Sequence, residues 1–330
     1  MSTRIGVIRG GISPQYHVSL ATGGAVIEAL KKCGLTPIDI LVTRDGEWHI
    51  GGLPVKPEEI ALKVDCIWNA LHGELGEDGS VQEFLDAYAI PYVGSKKEAS
   101  ELFHNKIRAK EIFKKFDIKT PTYEYVPAYN DTVFGGSVEE YAERTARRVW
   151  QSFSPPWVLK PLSSGSSLGV FIAKTFEELL IALTRALTED EGDWIVEEFI
   201  DGKEINLGII EGFRGTPHYT LIPKIVQKKG QILTHDELLS GSYKHTPLSR
   251  NDSHLKKELS EKLSRLFEWA GLRHYVTANF IASPRGLYIL EIDTLPALHP
   301  EAPFMRGLED SGAQMAEFVR HIVDVAQSKK

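Results

Sequence analysis

Residues 157–173 read WVLKPLSSGSSLGVFIA and form the most unusual segment of the chain. The apolar runs at its two ends predict strands, and the turn between them holds two glycines and four serines. Small residues let successive backbone N–H groups point at one anion, and serine hydroxyls add further donors. The pattern predicts a phosphate-cradling turn that follows Lys160. The alternative is an ordinary flexible hairpin with an exposed lysine.

The segments on either side of this turn predict a mixed unit of helices and strands. Apolar residues recur every three or four positions and predict one amphipathic helix over residues 97–116, with Lys106 between them. Ser137 and Glu140 form a capping-box pattern, which predicts a helix that runs to about residue 151. The other predicted elements here are strands at residues 157–160, 170–173 and 194–198 and a helix at residues 176–187.

The part of the chain before residue 95 alternates strand-like and helix-like segments, which is typical of a parallel sheet flanked by helices. Strands are predicted at residues 4–8, 36–42 and 64–71, and helices at residues 18–30 and 81–89. Ligands bind at the carboxyl ends of strands in such sheets. His17 and Ser19 follow the first strand, Ser19 near a helix N-terminus, and His72 follows the third strand. These are candidate substrate-binding residues with His72 as a candidate catalytic group, although a lone histidine is more often structural.

The strand predicted at residues 194–198 ends in acidic residues. Glu197 and Glu198 lead through Phe199 and Ile200 into a loop, and Glu204 follows. Such a segment offers backbone groups and a carboxylate to a base and a ribose, whereas the alternative is a solvated acidic rim. Further strands are predicted at residues 205–210, 219–226, 275–282 and 287–292, and helices at residues 254–270 and 313–326.

Three polar residues near the last predicted hairpin form a candidate metal site. Glu291 and Asp293 are two residues apart, so on a strand they share a face. A three-residue loop at residues 284–286 would place Asn279 opposite Glu291, and the three side chains would suit Mg²⁺ that keeps water and phosphate oxygens. A two-residue turn would instead place Asn279 opposite Leu290 and split the site. An edge hairpin with outward polar residues is the alternative to a metal site.

Composition limits the classes of function. The 330 residues are 42% hydrophobic and 25% charged, which excludes a disordered or collagen-like chain. The net charge of −7 argues against a general nucleic-acid binder. Two cysteines, Cys33 and Cys66, give no disulfide framework, and no signal-peptide or 18-residue apolar segment is found. We therefore expect a soluble cytoplasmic protein with no nucleic-acid or membrane partner.

Taken in order, these segments resemble the D-alanine–D-alanine ligases of the ATP-grasp superfamily over nearly the whole chain. The matching segments are VIRGGISPQYHVSL, NALHGELGEDGSVQ, YVGSKKEASELFHNKIRAK, LKPLSSGSSLGV, VEEFIDGKEINL and LEIDTLP. The resemblance implies an α/β and α+β ATP-grasp fold with an N-terminal substrate domain (1–95), a central lid domain (96–200) and a C-terminal metal and catalytic domain (201–330). It also fits the absence of both common nucleotide fingerprints, G-x-x-x-x-G-K-[ST] and G-x-G-x-x-G.

The resemblance also implies roles for individual residues. ATP would contact the phosphate lysines Lys106 and Lys160, the loop serines Ser166 and Ser167, the adenine positions Glu197, Glu198, Phe199, Ile200 and Leu290, and the ribose carboxylate Glu204. Mg²⁺ or Mn²⁺ would be held by Asn279, Glu291 and Asp293. Substrate would contact Gln15, His17, Ser19 and His72, with Ser166, Lys160 and His72 as catalytic residues.

Several positions depart from the family's pattern. Gln15 stands where the family has a glutamate, Thr277 where it has an arginine, and Ala302 where it has a serine. At the metal positions, Asn279 stands where the family has an aspartate, and Asp293 where it has an asparagine. The family's Lys-Tyr pair has no clear match in residues 233–246. The implied reaction joins a carboxylate and an amine through an acyl phosphate, with D-alanyl-D-alanine for peptidoglycan precursors as the first product to test. The alternatives are a ligase for another amino acid or carboxylate and a non-catalytic ATP-binding regulator; members of the family are commonly homodimers.

Overall fold

A computed structural model describes residues 3–163, 165, 169–189, 192–227, 230, 243–249 and 251–328. Its first sheet has the strand order β4-β3-β2-β1-β5-β6. The sheet is parallel through β2, β1, β5 and β6 and antiparallel at its β3 and β4 edge. The elements of this part are β1 Arg4–Gly10, α1 Tyr16–Lys32, β2 Thr36–Val42, β3 Trp48–Ile50, β4 Leu53–Pro54, α2 Pro57–Ile60, β5 Cys66–Asn69, α3 Ser80–Ala87 and β6 Tyr92–Val93.

The centre of this sheet agrees with the predicted parallel arrangement. Strands β1 and β5 are buried where they pair and carry no polar side chain there except Asn69 at the end of β5, because both faces of the sheet are covered. Their carboxyl ends, at Gly10 and Asn69, lie side by side at one edge. The loops after them, which hold most of the candidate substrate residues, therefore start from neighbouring points.

The predicted helix over residues 97–116 is wrong as a single helix. The structure has α4 Lys97–His104 and α5 Lys106–Lys115, separated by Asn105 in an extended conformation. The Asn105 side chain accepts a hydrogen bond from Arg108 N and so caps α5, a role for which asparagine is strongly preferred. The break changes the phase of the buried face, which now contains Lys106, Ala109 and Lys110.

The second sheet is antiparallel, with the order β7-β10-β8-β9. The capping box at Ser137 and Glu140 is present, as predicted, at the start of α7. In this sheet Lys160 pairs with Ile195. Cross-strand neighbours share a face, and so do residues two apart, so Lys160 and Glu197 lie on the same side. The elements are β7 Tyr123–Val126, α6 Asp131–Phe134, α7 Val138–Ser152, β8 Trp157–Pro161, β9 Phe171–Ala173, α8 Phe176–Glu189 and β10 Trp194–Glu198.

The third sheet has the order β14-β13-β11-β15-β16, with β12 also paired to β11. The single strand predicted at residues 219–226 is wrong: β12 and β13 flank an interruption that contains Pro223, which has no N–H to donate to a sheet. The elements are β11 Lys203–Glu211, a 3₁₀ turn Phe213–Gly215, β12 His218–Thr220, β13 Lys224–Gln227, β14 Lys244–Pro247, α9 Ser253–Trp269, β15 Tyr275–Ser283, β16 Gly286–Asp293, α10 Pro303–Asp310 and α11 Met315–Ser328.

The β15–β16 hairpin has a shorter turn than predicted. Ser283 pairs with Gly286, so the loop has two residues rather than three. The pairing nevertheless shifts between Asn279 and Phe280, where a β-bulge adds one residue to β16, and Asn279 lies opposite Glu291 as predicted.

The first and third sheets share a hydrophobic core, whereas the second sheet packs with α7 and α8 in a core of its own. Helices α4 and α5 pack, through Phe103 and Phe113, in the same apolar cluster as β11, β15, β16 and α9. Helix α11 packs through Phe318 against Trp68 of the first sheet. The domain boundaries at 95/96 and 200/201 stay a prediction. Among the described residues, no helix is both long enough and apolar enough to cross a membrane.

Candidate active site

A row of polar side chains crosses the third sheet. Asn206 on β11 pairs with Asn279 on β15, and Asn279 pairs with Glu291 on β16. The Asn206 amide donates to Asn279 Oδ1 at 2.7 Å, and the Asn279 amide donates to Glu291 Oε1 at 2.9 Å. Because each amide fixes the next group, Glu291 is held in one orientation with its second oxygen turned away from Asn279.

A second carboxylate lies beside this row. Asp293 is two residues after Glu291, and its Oδ1 accepts a hydrogen bond from Leu295 N at 2.9 Å. Burial, together with the nearby charges of Glu77 and Glu291, raises the pKa of Asp293 well above its ordinary value. Neighbouring negative charges disfavour the ionised form of a buried carboxylate, and a bound cation would offset that cost.

Opposite the acidic row lies a group of buried lysines. Glu197 on β10 lies between Lys160 of β8, at 2.7 Å, and Lys110 of α5, at 2.8 Å. Burial would raise the pKa of Glu197, but the two ammonium groups lower it below its ordinary value. Burial would lower the pKa of Lys160, but the charges of Glu197 and Glu291 raise it above its ordinary value. Lys160 therefore interacts electrostatically with carboxylates of both the second and the third sheet.

Lys106 belongs to the same group of buried lysines. It is the first residue of α5, is buried, and its Nζ lies 3.4 Å from Leu162 O. Burial and the charge of Lys160 together lower the pKa of Lys106 to about 8, despite the opposing effect of Glu291. Lys106, Lys160 and Glu291 therefore interact across the gap between the second and third sheets.

An apolar cluster lies next to these charges. Ile200 packs with Ile281 and Tyr288, and Leu290 packs against them. The neighbouring Glu198 is held by other groups: Oε1 accepts from Thr122 N at 3.0 Å, and Oε2 from Arg285 Nη1 at 3.0 Å. The Phe199 N–H is also used, in a hydrogen bond to Pro156 O. Glu204 on β11 pairs with Ile281, beside this cluster.

The loops of the first sheet form the third side of the site. His72 Nε2 lies 3.0 Å from Thr22 Oγ1, and His72 Nδ1 lies 3.4 Å from Glu77 Oε1. Burial would raise the pKa of Glu77, but contact with His72 and the charge of His104 lower it. Both nitrogens of His72 thus face protein groups, and Glu77 links this loop to Asp293.

Ser19, His17 and Gln15 lie in three different environments. Ser19 is fully buried, and its Oγ accepts from Gly10 N and donates to Ala70 O, both at 2.8 Å, so it joins the two central strands. His17 is exposed and lies 3.2 Å from Arg44. Gln15 is buried, and its amide nitrogen would lie 3.1 Å from a methyl group added at Gly73 or at Gly165. Gln15 therefore contacts both the His72 loop and the serine-rich turn.

Known proteins resemble this chain over its whole length. The D-ala D-ala ligase C-terminus family matches residues 112–324, and the D-ala D-ala ligase N-terminus family matches residues 53–95. The chain belongs to the D-alanine–D-alanine ligase family. D-alanine–D-alanine ligases from Desulforudis audaxviator and Geobacter sulfurreducens are 31% and 32% identical to it, over 100% and 99% of this chain and 100% and 95% of theirs.

Solved structures of similar fold include two ligases. VanG D-Ala:D-Ser ligase from Enterococcus faecalis superposes with a TM-score of 0.80 at 21% identity, over 99% of this chain and 100% of that one. D-alanine–D-alanine ligase from Bacillus anthracis, complexed with ATP, gives a TM-score of 0.77 at 23% identity, over 99% and 98%. Both confirm the predicted α/β ATP-grasp fold.

Within this family member, most of the predicted ATP and metal residues lie together. Lys106, Lys160 and Glu197 face Glu291 and its neighbours, and Ile200 and Leu290 share one apolar cluster. Ser166 and Ser167 lie outside the described residues. Of the positions that depart from the family's pattern, Thr277 is buried opposite Asp293, and Ala302 precedes the first residue of α10.

Three residues of the site were missed by the sequence reasoning: Lys110, Glu77 and Asn206. Lys110 follows Lys106 by four residues and Ala109 by one, so it lies on the buried face of a helix that begins at residue 106. Had Asn105 been interpreted as a cap, a lysine on that apolar face would have signalled a buried ion pair. Glu77 and Asn206 carry no comparable local signal, because their partners are distant in sequence.

Proposed function

We propose that this chain catalyses ATP-dependent ligation of two D-alanine molecules to D-alanyl-D-alanine, with release of ADP and phosphate. In this reaction one substrate carboxylate attacks the γ-phosphorus of ATP and gives an acyl phosphate. The amine of the second substrate then attacks the acyl carbon, and phosphate leaves. The product serves peptidoglycan precursor synthesis, and the proposed location is the cytoplasm, where ATP is available.

The observation that carries this proposal is the opposition of the buried lysines and the acidic row. Lys160 and Lys106 come from the second sheet and α5, Glu291 comes from β16, and the charge of Glu291 acts on the pKa of both lysines across the gap. Asp293 lies beside Glu291 on the same face of β16. A triphosphate between the lysines and the acidic row would be neutralised by lysines on one side and by a carboxylate-bound cation on the other. Phosphoryl transfer depends mainly on such positioning and charge stabilisation.

The residues of the acidic row fit Mg²⁺. Glu291 and Asp293 supply carboxylate oxygens from one face of β16, and the like-charge strain on Asp293 is the kind that a cation relieves. Among the described residues no group of three or more His, Cys, Asp or Glu side chains is arranged to hold a metal ion. Mg²⁺ at Glu291 and Asp293 would therefore need water and phosphate oxygens to complete its ligands. Bound Mg²⁺ would neutralise the charge that develops on the phosphates. Asn279 orients Glu291 through its amide and, in this arrangement, presents its own oxygen to Asn206.

The other site residues divide between nucleotide and amino-acid sides. The cluster of Ile200, Ile281, Tyr288 and Leu290 takes the adenine ring, with Glu204 near the ribose. Gln15 and the loop of His72 border the amino-acid side, where Gln15 meets the serine-rich turn at Gly165. We retain the three predicted domains, at residues 1–95, 96–200 and 201–330, as part of this proposal.

The first test measures phosphate release with ATP, Mg²⁺ and a panel of D- and L-amino acids, with mass spectrometry of any product. D-alanine-dependent phosphate release with D-alanyl-D-alanine as product supports the proposal. Release driven by another amino acid or carboxylate would assign a different substrate. ATP binding without phosphate release under any condition would favour a non-catalytic regulator.

The second test concerns the phosphate lysine. Lys160→Ala removes a charged donor, and hydrogen bonds to charged groups contribute about 1.5–3 kcal/mol, so the KM for ATP should rise about tenfold to a hundredfold. Lys174→Ala, at an exposed lysine just after β9, is the matched control and should behave as the unmodified protein. Equal ADP affinity in Lys160→Ala and the control would reject the assigned phosphate site.

A further inference from the structure

Lys110 is the most completely buried charged side chain of the site. Its side chain is 0% exposed, whereas that of Lys160 is 11% exposed. Lys110 Nζ lies 2.8 Å from Glu197 Oε1, 2.9 Å from Thr120 Oγ1 and 3.3 Å from Pro121 O. Two of its three N–H donors are used in the hydrogen bonds to Thr120 and Pro121, and Glu197 Oε1 lies within ion-pair distance of the same ammonium group.

A fully buried ammonium group that is already surrounded by three protein oxygens is poorly placed to contact a ligand. Lys110 could contact a phosphate only by giving up Glu197, Thr120 or Pro121, and burial leaves it no path to solvent. Its direct effect is therefore on Glu197. The two Glu197 oxygens are divided between the lysines, Oε1 toward Lys110 and Oε2 toward Lys160.

This division fixes the position of the Lys160 ammonium group. With Lys110 on one oxygen, Glu197 presents a single oxygen to Lys160 and cannot turn to chelate it with both. The three charges sum to +1, so Lys160 keeps positive charge available for an anion, although it is paired with Glu197. Without Lys110, Glu197 would be free to turn fully toward Lys160 and neutralise it.

We infer that Lys110 is a positioning residue for the nucleotide: it holds Glu197 so that Lys160 stays oriented and charged toward the phosphates. The inference rests on the proposed role of Lys160 in ATP binding. It assigns to Lys110 no contact with ATP, substrate or metal. The link to the nucleotide runs through two ion pairs, from α5 to β10 and from β10 to β8.

The experiment measures the affinity of Mg²⁺ and ADP by calorimetry, with steady-state KM values for ATP and amino acid, in single and double variants. Lys110→Met keeps the length of the side chain and removes its charge. It should weaken ADP binding and raise the KM for ATP about tenfold, with the amino-acid KM nearly unchanged. Lys115→Met, at an exposed position on the same helix, is the matched control and should leave both constants unchanged.

The double variant separates positioning from general structural support. If Lys110 acts through Lys160, adding Lys110→Met to Lys160→Ala causes no further loss of ADP affinity, because the group that it positions is already absent. A purely structural role would instead add its own loss to that of Lys160→Ala. Additive losses would overturn the inference.

A milder variant covers the case in which Lys110→Met does not fold. Thr120→Val removes one acceptor of the Lys110 ammonium group and should raise the ADP dissociation constant by about threefold, in the same direction as Lys110→Met. Unchanged ADP affinity in Lys160→Ala would refute the proposed nucleotide site itself. A loss in Lys160→Ala with none in Lys110→Met or in Thr120→Val would refute only the positioning role.

Discussion

Replacement of Lys106 by methionine should make the nucleotide-free protein more stable. Lys106 is buried at the start of α5, and burial lowers its pKa to about 8 from the ordinary 10.5. The two values differ by an amount that corresponds to about 3 kcal/mol of unfavourable free energy for the charged form in the folded state. Lys106→Met removes the charge and keeps the length of the side chain. At about pH 7, the free energy of unfolding should therefore rise by up to about 3 kcal/mol.

The gain in stability of Lys106→Met should depend on pH in a defined direction. Below pH 8 Lys106 is charged in both the folded and the unfolded chain, so the native state carries the whole penalty. Between 8 and 10.5 the folded chain holds fewer protons than the unfolded chain, and the stability of the unmodified protein rises with pH. The advantage of Lys106→Met should therefore be largest near neutrality and should shrink as the pH approaches 10.5.

Urea denaturation of both proteins without nucleotide, at about pH 7 and about pH 10, tests the prediction. Lys115→Met, an exposed change on the same helix, should show no such difference. The gain in stability should be accompanied by weaker stabilisation by Mg²⁺ and ADP, because Lys106 is a proposed phosphate ligand. A variant that is less stable than the unmodified protein at neutral pH, or a gain that is independent of pH, would refute the reasoning.

Two further changes separate structural from functional roles. Ser19→Ala leaves the buried Gly10 N–H without its hydroxyl acceptor, so the free energy of unfolding should fall by about 1–3 kcal/mol while the KM for amino acid stays unchanged. A raised KM at unchanged thermal stability would instead support the predicted substrate contact. Asn279→Ala removes the amide that orients Glu291, and the Mg²⁺ concentration for half-maximal activity should rise about tenfold. An unchanged metal requirement would show that Glu291 needs no such support.

Local patterns in the sequence predicted those parts of the fold that depend on local physics. The capping box at Ser137 and the parallel pairing of β1 with β5 are present because capping and double-sided burial are visible within a few residues. The single helix predicted over residues 97–116 is wrong because apolar periodicity does not reveal the break that the Asn105 cap introduces. That cap shifts the buried face onto Lys106 and Lys110.

Lys110 shows why part of the site could not be predicted. A buried lysine is stable only with its partners, and its carboxylate, Glu197, belongs to a strand of another sheet. The residues next to Lys110 in the sequence give no indication of this ion pair, because Glu197 is distant in the chain. Lys160 was predictable because the glycines and serines that follow it give a local pattern with a chemical meaning.

The β15–β16 hairpin shows how the fold reconciles packing with chemistry. A regular two-residue hairpin would pair Asn279 with Leu290 and turn Glu291 toward the core beside Ala278. Instead, the bulge lets Ile292 pair with Ala278, and both pack in the core with Ile289. Leu290 joins the apolar cluster on the opposite face, and Glu291 and Asp293 remain on the side of the lysines. Core-facing residues of a regular strand recur every two positions, but Ile292 follows Ile289 by three. This break in the alternation is the sequence signal for the bulge. One inserted residue thus keeps both the hydrophobic core and the acidic row intact.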